Sequence, residues 1–183
     1  MRSFIDIVTT LLCEDFPRRE TDPEALAWIN AALARPDAKE LYLHGTNAVF
    51  DHFVDPDTSI GRLIFSSKLI EPFSRRGPNE ALQAEYYGRN LLLLKVRPTK
   101  PFNPNPKADP VAHKILADAV AECWDADNKI RYGRFDYQDA HLVVPAAVAA
   151  GYDFFRVFEQ SIMGDSYGSA YASMIEIVDR YPS

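Results

Sequence analysis

The chain has 183 residues, enough for one domain with a small appendage, and at 47% hydrophobic and 12% aromatic it can bury a real core. Its formal net charge of -6 and pI near 5.2 argue against a general binder of nucleic acid or anionic membrane, since phosphates call for a basic face. A local basic patch stays compatible with that balance. No run of roughly 18 apolar residues exists, so no membrane-spanning helix is expected. Cys13 and Cys123 form no Cys-x-x-Cys motif and read as two free thiols in a reducing cytosol, so the expected location is cytoplasmic.

In chain order, "FIDIVTTLLCEDF" spaces Ile5, Val8, Leu11 and Leu12 as a helix does. One positive charge, an Asp inside the apolar run and no small-residue cleavage pattern make it a helix rather than a signal peptide. Thr21 and Asp22 before Pro23 start a second helix, "PEALAWINAALARP". "LYLHG" is a short strand ending in polar residues, and "TNAVFDHFVDP" is a loop or short helix. "GRLIFSS" is a second strand, and "EALQAEYYG" is a short helix closed by Gly88.

The four consecutive leucines of "RNLLLLKVRP" predict a strand buried on both faces. "TKPFNPNPKADP" is too proline-rich for regular structure. "VAHKILADAVAECWDA" predicts one amphipathic helix, and "YQDAHLVVPAAVAAG" another, kinked at Pro145. "YDFFRVFE" is a strand, "GDSYGSAY" a loop, and "ASMIEIVD" the last strand. Short strands without strict alternation favour an α+β fold over a doubly wound sheet.

The common catalytic signatures are missing. There is no Gly-x-Gly-x-x-Gly, no P-loop and no Gly-x-Ser-x-Gly elbow. His44, His52, His113 and His141 show no metal-ligand spacing, so no metal site is expected.

The ordered set "LYLHGT", "HFVDP", "GRLIFSS", "AEYYG", "LLLLKV", "PFNPNP", "GYDFFRVFEQ" and "GDSYGSAY" resembles the ADP-ribosyltransferase-like superfamily, in its diphtheria-toxin and PARP-related branch. The resemblance spans about residues 40 to 179 and rests on the order of motifs, each of which is weak alone. The segment Asp165-Ser166-Tyr167-Gly168-Ser169-Ala170-Tyr171 also looks like the end of a phage anti-CRISPR ADP-ribosyltransferase.

The resemblance implies a split β-sheet core with flanking helices over residues 39–183, behind a helical extension at 1–38. It implies NAD as substrate and transfer of ADP-ribose to a macromolecule, most naturally a protein, as a phage or toxin effector would do. In that scheme His44 bonds a ribose hydroxyl, Gly45 lets its backbone approach the nicotinamide carboxamide, and Thr46 adds a hydroxyl. Tyr87 stacks on nicotinamide, and Phe65 and Ser66 on the second strand complete the contacts. Asp165 is the expected catalytic carboxylate and Glu159 the runner-up, stabilising an oxocarbenium-like transition state.

Phe65 or Ile64 stands where relatives often carry tyrosine, which removes a hydroxyl from the scheme. Plain structural readings stand beside these: His44 as a capping residue, Tyr86 and Tyr87 as core aromatics, Asp165 as a turn former, Glu159 as a solvated strand end. Arg75-Arg76 reads either as a charged loop tip or as a clamp on pyrophosphate. The alternative function is a catalytically silent relative that inhibits another protein by binding it. Acceptor, oligomeric state and the role of residues 1–38 are open from sequence.

Overall fold

A computed structural model describes residues 23–70, 90–159 and 164–182. The N-terminal "FIDIVTTLLCEDF" helix, the Arg75-Arg76 pair and the helix carrying Tyr86 and Tyr87 lie outside the described residues.

The fold is α+β. Among the described residues four helices, α1 (Pro23–Leu33), α2 (Pro110–Val120), α3 (Ala126–Tyr132) and α4 (Ala140–Ala149), accompany seven strands. These are β1 (Leu41–Thr46), β2 (Ile64–Lys68), β3 (Asn90–Val96), β4 (Phe135–Asp136), β5 (Phe154–Glu159), β6 (Gly164–Ser169) and β7 (Ile175–Tyr181). They form one sheet in the order β4-β5-β6-β2-β1-β3-β7. Only the β4–β5 pair is parallel; its neighbours pair antiparallel.

Strand alternation explains how the sheet divides its burial. Leu91 and Leu93 of β3, with Leu41 and Leu43 of β1, turn one way and bury against α1. Ala25, Ile29 and Ala32 form the buried stripe of that helix at helical spacing. Leu92, Leu94 and Val96 turn the other way and meet Tyr42, Phe154, Tyr167 and Met174. The four-leucine run is thus buried on both faces, as its composition predicts.

The other half of the sheet carries α2 and α4. Ala112, Leu116 and Val120 pack with Val143, Val144 and Ala147 over Phe155 and Val157. Asp109 caps α2 by accepting from Ala112 N at 2.9 Å, and Pro110 follows at its first turn. The proline-rich stretch after β3 is irregular but anchored. Phe102 is buried against Tyr152 and Phe155, and the Asp153 carboxylate accepts the amides of Thr99 and Lys100 at 2.8 and 3.0 Å.

Two elements differ from the sequence reading. "GDSYGSAY" is not a loop: residues Gly164–Ser169 are strand β6, paired with β5 on one side and β2 on the other. Pairing on both sides overrides the turn preference of Gly, Asp and Ser. Gly168 has a packing role there, since a Cβ would lie 2.5 Å from Leu63 Cδ1. The single helix expected over "VAHKILADAVAECWDA" ends at Val120, and α3 restarts at Ala126. The break sets Asp125 within 3.0 Å of Lys129 on α3, while Lys129 also reaches Asp139 at 2.7 Å and Asp136 at 3.8 Å.

Candidate functional site

The site begins where the sheet stops being continuous. β1 and β2 pair at Tyr42↔Lys68 and Leu43↔Ser67. Beyond these residues β1 stays with β3 as far as Thr46↔Asn90, while β2 stays with β6 as far as Ile64↔Ser169. The two strands fork, and His44 sits in the fork.

The His44 ring bridges the gap. Its Nδ1–H donates to the Phe65 carbonyl at 2.6 Å, and its ring packs T-shaped with Phe53, centroids 5.1 Å apart at 82°. Burial pushes the imidazole below its ordinary pKa, outweighing the Phe65 bond that favours the charged form. The ring is therefore neutral near pH 7, with Nδ1 as donor and Nε2 as acceptor.

Around it lies a cavity of about 550 Å³. With His44, it is lined by Phe50 and Phe53, by Leu63, Ile64 and Phe65 at the start of β2, and by Tyr137. Phe50 and Phe53 pack edge to face at 4.9 Å. Their loop has no regular element until a 3-10 turn at Thr58–Ile60, yet it is tied at several points. Asn90 Nδ2 donates to Ala48 O at 3.2 Å, Arg180 donates to Phe50 O at 3.2 Å, and the Ala172 amide donates to Asp55 at 2.7 Å. Gly61, at φ 80, lies against the start of α4, where a Cβ would meet His141 N at 2.4 Å.

Of the residues expected from sequence, His44 and Phe65 meet at this cavity. Gly45 is the adjoining β1 residue, paired with Leu91. Thr46 Oγ1 accepts from Ala48 N at 3.1 Å, a local turn bond. Ser66 is buried in β2, its hydroxyl 3.4 Å from Tyr167 O. Asp165 does not line the cavity. It stands opposite Phe158 on β5, where Arg156 Nε donates to its carboxylate at 2.9 Å. Glu159 closes β5; its side chain, like Tyr87, lies outside the described residues. Among the described residues no cluster of His, Cys, Asp and Glu could hold a metal ion.

Sequence reasoning took the run holding Phe50 and Phe53 only as support beside the site, and passed over Tyr137. Phe50 and Phe53 stand in the quoted "AVFDHF" run, and two aromatics three apart in a polar loop were their only signal. Tyr137 gave none.

No protein-family model matches the chain, and no curated protein matches it. Among solved structures the chain is similar to one titled "Crystal structure of an anti-CRISPR protein", at 14% identity and a TM-score of 0.46, over 75% of this chain and 94% of that one. So distant a likeness assigns no chemistry to the cleft. Among the described residues no helix is long and apolar enough to cross a membrane.

Proposed function

We propose that the fork between β1 and β2 binds the nicotinamide-ribose end of NAD and that the chain transfers ADP-ribose to a macromolecular acceptor. The observation that carries this is the His44 imidazole, held through Nδ1 by the Phe65 carbonyl, lining an aromatic cavity at the fork. About 550 Å³ is within the ordinary size of a small-molecule site. Aromatic faces favour a flat, positively charged pyridinium ring, and Nε2 can accept a ribose hydroxyl proton.

In the reaction the bond between ribose C1′ and the nicotinamide nitrogen breaks, and its electron pair neutralises the ring. A nucleophilic atom of the acceptor bonds C1′ and loses its proton. The resemblance assigns the developing positive charge to a carboxylate, Asp165 or Glu159; Asp165 would have to leave Arg156 to serve the cleft. A protein acceptor, an effector role inside a host cell and a cytoplasmic location belong to the same proposal, through the sequence resemblance.

Heat stability with and without NAD, followed by labelled NAD offered with candidate acceptor proteins, tests this reading. NAD should raise the unfolding temperature, and His44→Ala should remove most of that shift. Neither a shift nor release of nicotinamide would end it.

One observation favours a second reading. Asp165 is engaged by Arg156, and no carboxylate lines the cavity among the described residues. A silent member would act by binding a protein, and its biological effect would survive both His44→Ala and Asp165→Ala.

A further inference from the structure

We infer that the face where α3 runs into β4, built from Arg131, Tyr132, Arg134 and Phe158, docks an acidic, extended segment of another protein. The inference does not rest on the cleft reading.

The arrangement of rings and guanidiniums is the first ground. Arg134 lies 4.4 Å from the centroid of the Phe158 ring and 5.5 Å from that of Tyr132. Arg131 stands 5.6 Å from the same Tyr132 ring. A guanidinium resting on an aromatic ring keeps its N–H groups for two-point bonds to a carboxylate, and the ring limits the positions it can take. The backbone beneath is held as well. The Gly133 and Arg134 amides donate to Ile130 O and Lys129 O at 3.2 and 3.1 Å. Lys129 is anchored by Asp139, and Phe135, next after Arg134, is buried. A face mounted in this way has little freedom left to lose when a partner covers it.

Charge is the second ground. Phe155 and Val157 point into the core under α2 and α4, so Arg156 and Phe158 turn to the opposite side of β5. Asp165 lies across from Phe158, and Arg156 donates to its carboxylate at 2.9 Å, which neutralises that acid. Asp136 is turned to Lys129 at 3.8 Å. Asp127 stands one turn before Arg131 on α3 and forms no ion pair with it. Among the described residues neither Arg131 nor Arg134 pairs with a carboxylate. On a chain of net charge -6, two stacked arginines without carboxylate partners form a local cationic site.

The size of the face selects the occupant. Nucleic-acid affinity grows with the number of phosphates neutralised, and two arginines on an anionic chain supply few. A peptide segment needs only a pair of carboxylates for the two guanidiniums and an apolar side chain for Tyr132, which is 61% exposed.

The test uses the full chain, unsubstituted and as Tyr132→Ala, Arg134→Lys, Arg131→Glu and the double variant Arg131→Glu with Arg134→Glu. Poly(Glu,Tyr) and single-stranded oligo-uridylate serve as probes, with Kd from fluorescence anisotropy. Poly(Glu,Tyr) should bind the unsubstituted chain, and less tightly as salt is raised. The double variant should weaken it by about tenfold. Arg134→Lys, which keeps the charge and loses the fork, and Tyr132→Ala should each weaken it by about threefold. Where the double variant lowers the unfolding midpoint, Arg131→Glu alone, at an exposed helix position, carries the comparison. No binding of poly(Glu,Tyr), or equal binding by the charge-reversed variants, overturns the inference. Oligo-uridylate bound more tightly than poly(Glu,Tyr), and released by the same variants, overturns it in favour of nucleic acid.

Discussion

His44 is a base kept neutral by its surroundings. Its folded pKa lies below the ordinary imidazole value of about 6.5, because burial penalises the charge. The sign of the linkage follows. A group with a lowered folded pKa gives stability that is complete above the unfolded pKa and is lost as pH falls through the folded one. The unfolding midpoint should hold steady from about pH 8 to 7 and decline below about pH 6.5, with part of that decline removed in His44→Gln. NAD binding, if it uses Nε2 as acceptor, should weaken in the same acidic direction. A midpoint with the same pH slope in both proteins would contradict this account. His44 was legible in the sequence as a polar residue at a strand end. What the sequence could not give was the tautomer, which depends on a carbonyl 21 residues away in sequence.

Among the elements, α3, β4 and the turn into α4 are held by one cation among three carboxylates. Burial alone would lower the Lys129 ammonium, but its bonds to Asp139 and Asp125 outweigh that and hold it raised. Burial pushes the Asp136 carboxyl up despite the nearby Lys129. Lys129→Met leaves these carboxylates buried without their cation and should cost about 3–5 kcal/mol at pH 7. The stranded carboxylates then prefer to be protonated, so the deficit should shrink as pH falls toward about 4. Urea unfolding at two pH values reads both effects. The sequence hid this arrangement. "AECWDADNK" holds several weak helix formers, Cys123, Trp124, Asp125, Asp127 and Asn128, but the contacts of Lys129 with Asp125 and Asp139 that accompany the bend at 121–125 join separate elements. Strand β6 was hidden for the converse reason, since Gly and Ser fit there because Leu63 and both neighbouring strands crowd it. The long apolar strand β3, helix α1 and the capped helix α2 were legible because their burial patterns and start signals lie within the segment.

At the scale of the whole molecule, the described β1 and β2 are joined by two register pairs and by Leu69 N donating to Leu41 O at 3.0 Å. The two halves are also joined by an aromatic cluster, in which Tyr42 meets Phe154 and Tyr167 at 5.8 and 5.6 Å. Phe154 and Tyr167 stack at 5.9 Å. Tyr42→Ala should therefore cost about 3–5 kcal/mol, more than truncating an aromatic with fewer partners. It should also speed hydrogen exchange at β1 and β2 together, because the pairs on either side of the cluster lose their support. Exchange confined to β1 would count against a shared junction. The overall class followed from strand length and order in the sequence. The fork did not, because it is defined by which partners β1 and β2 abandon, and no local pattern encodes that.

The fork makes the proposed binding cleft the mechanical seam of the protein. Pulled across the sheet, the chain should part between β1 and β2, where few backbone bonds resist and the His44 side chain spans the gap. A ligand seated there touches both banks, so it acts as a suture, and the force needed to separate the halves becomes a gauge of occupancy.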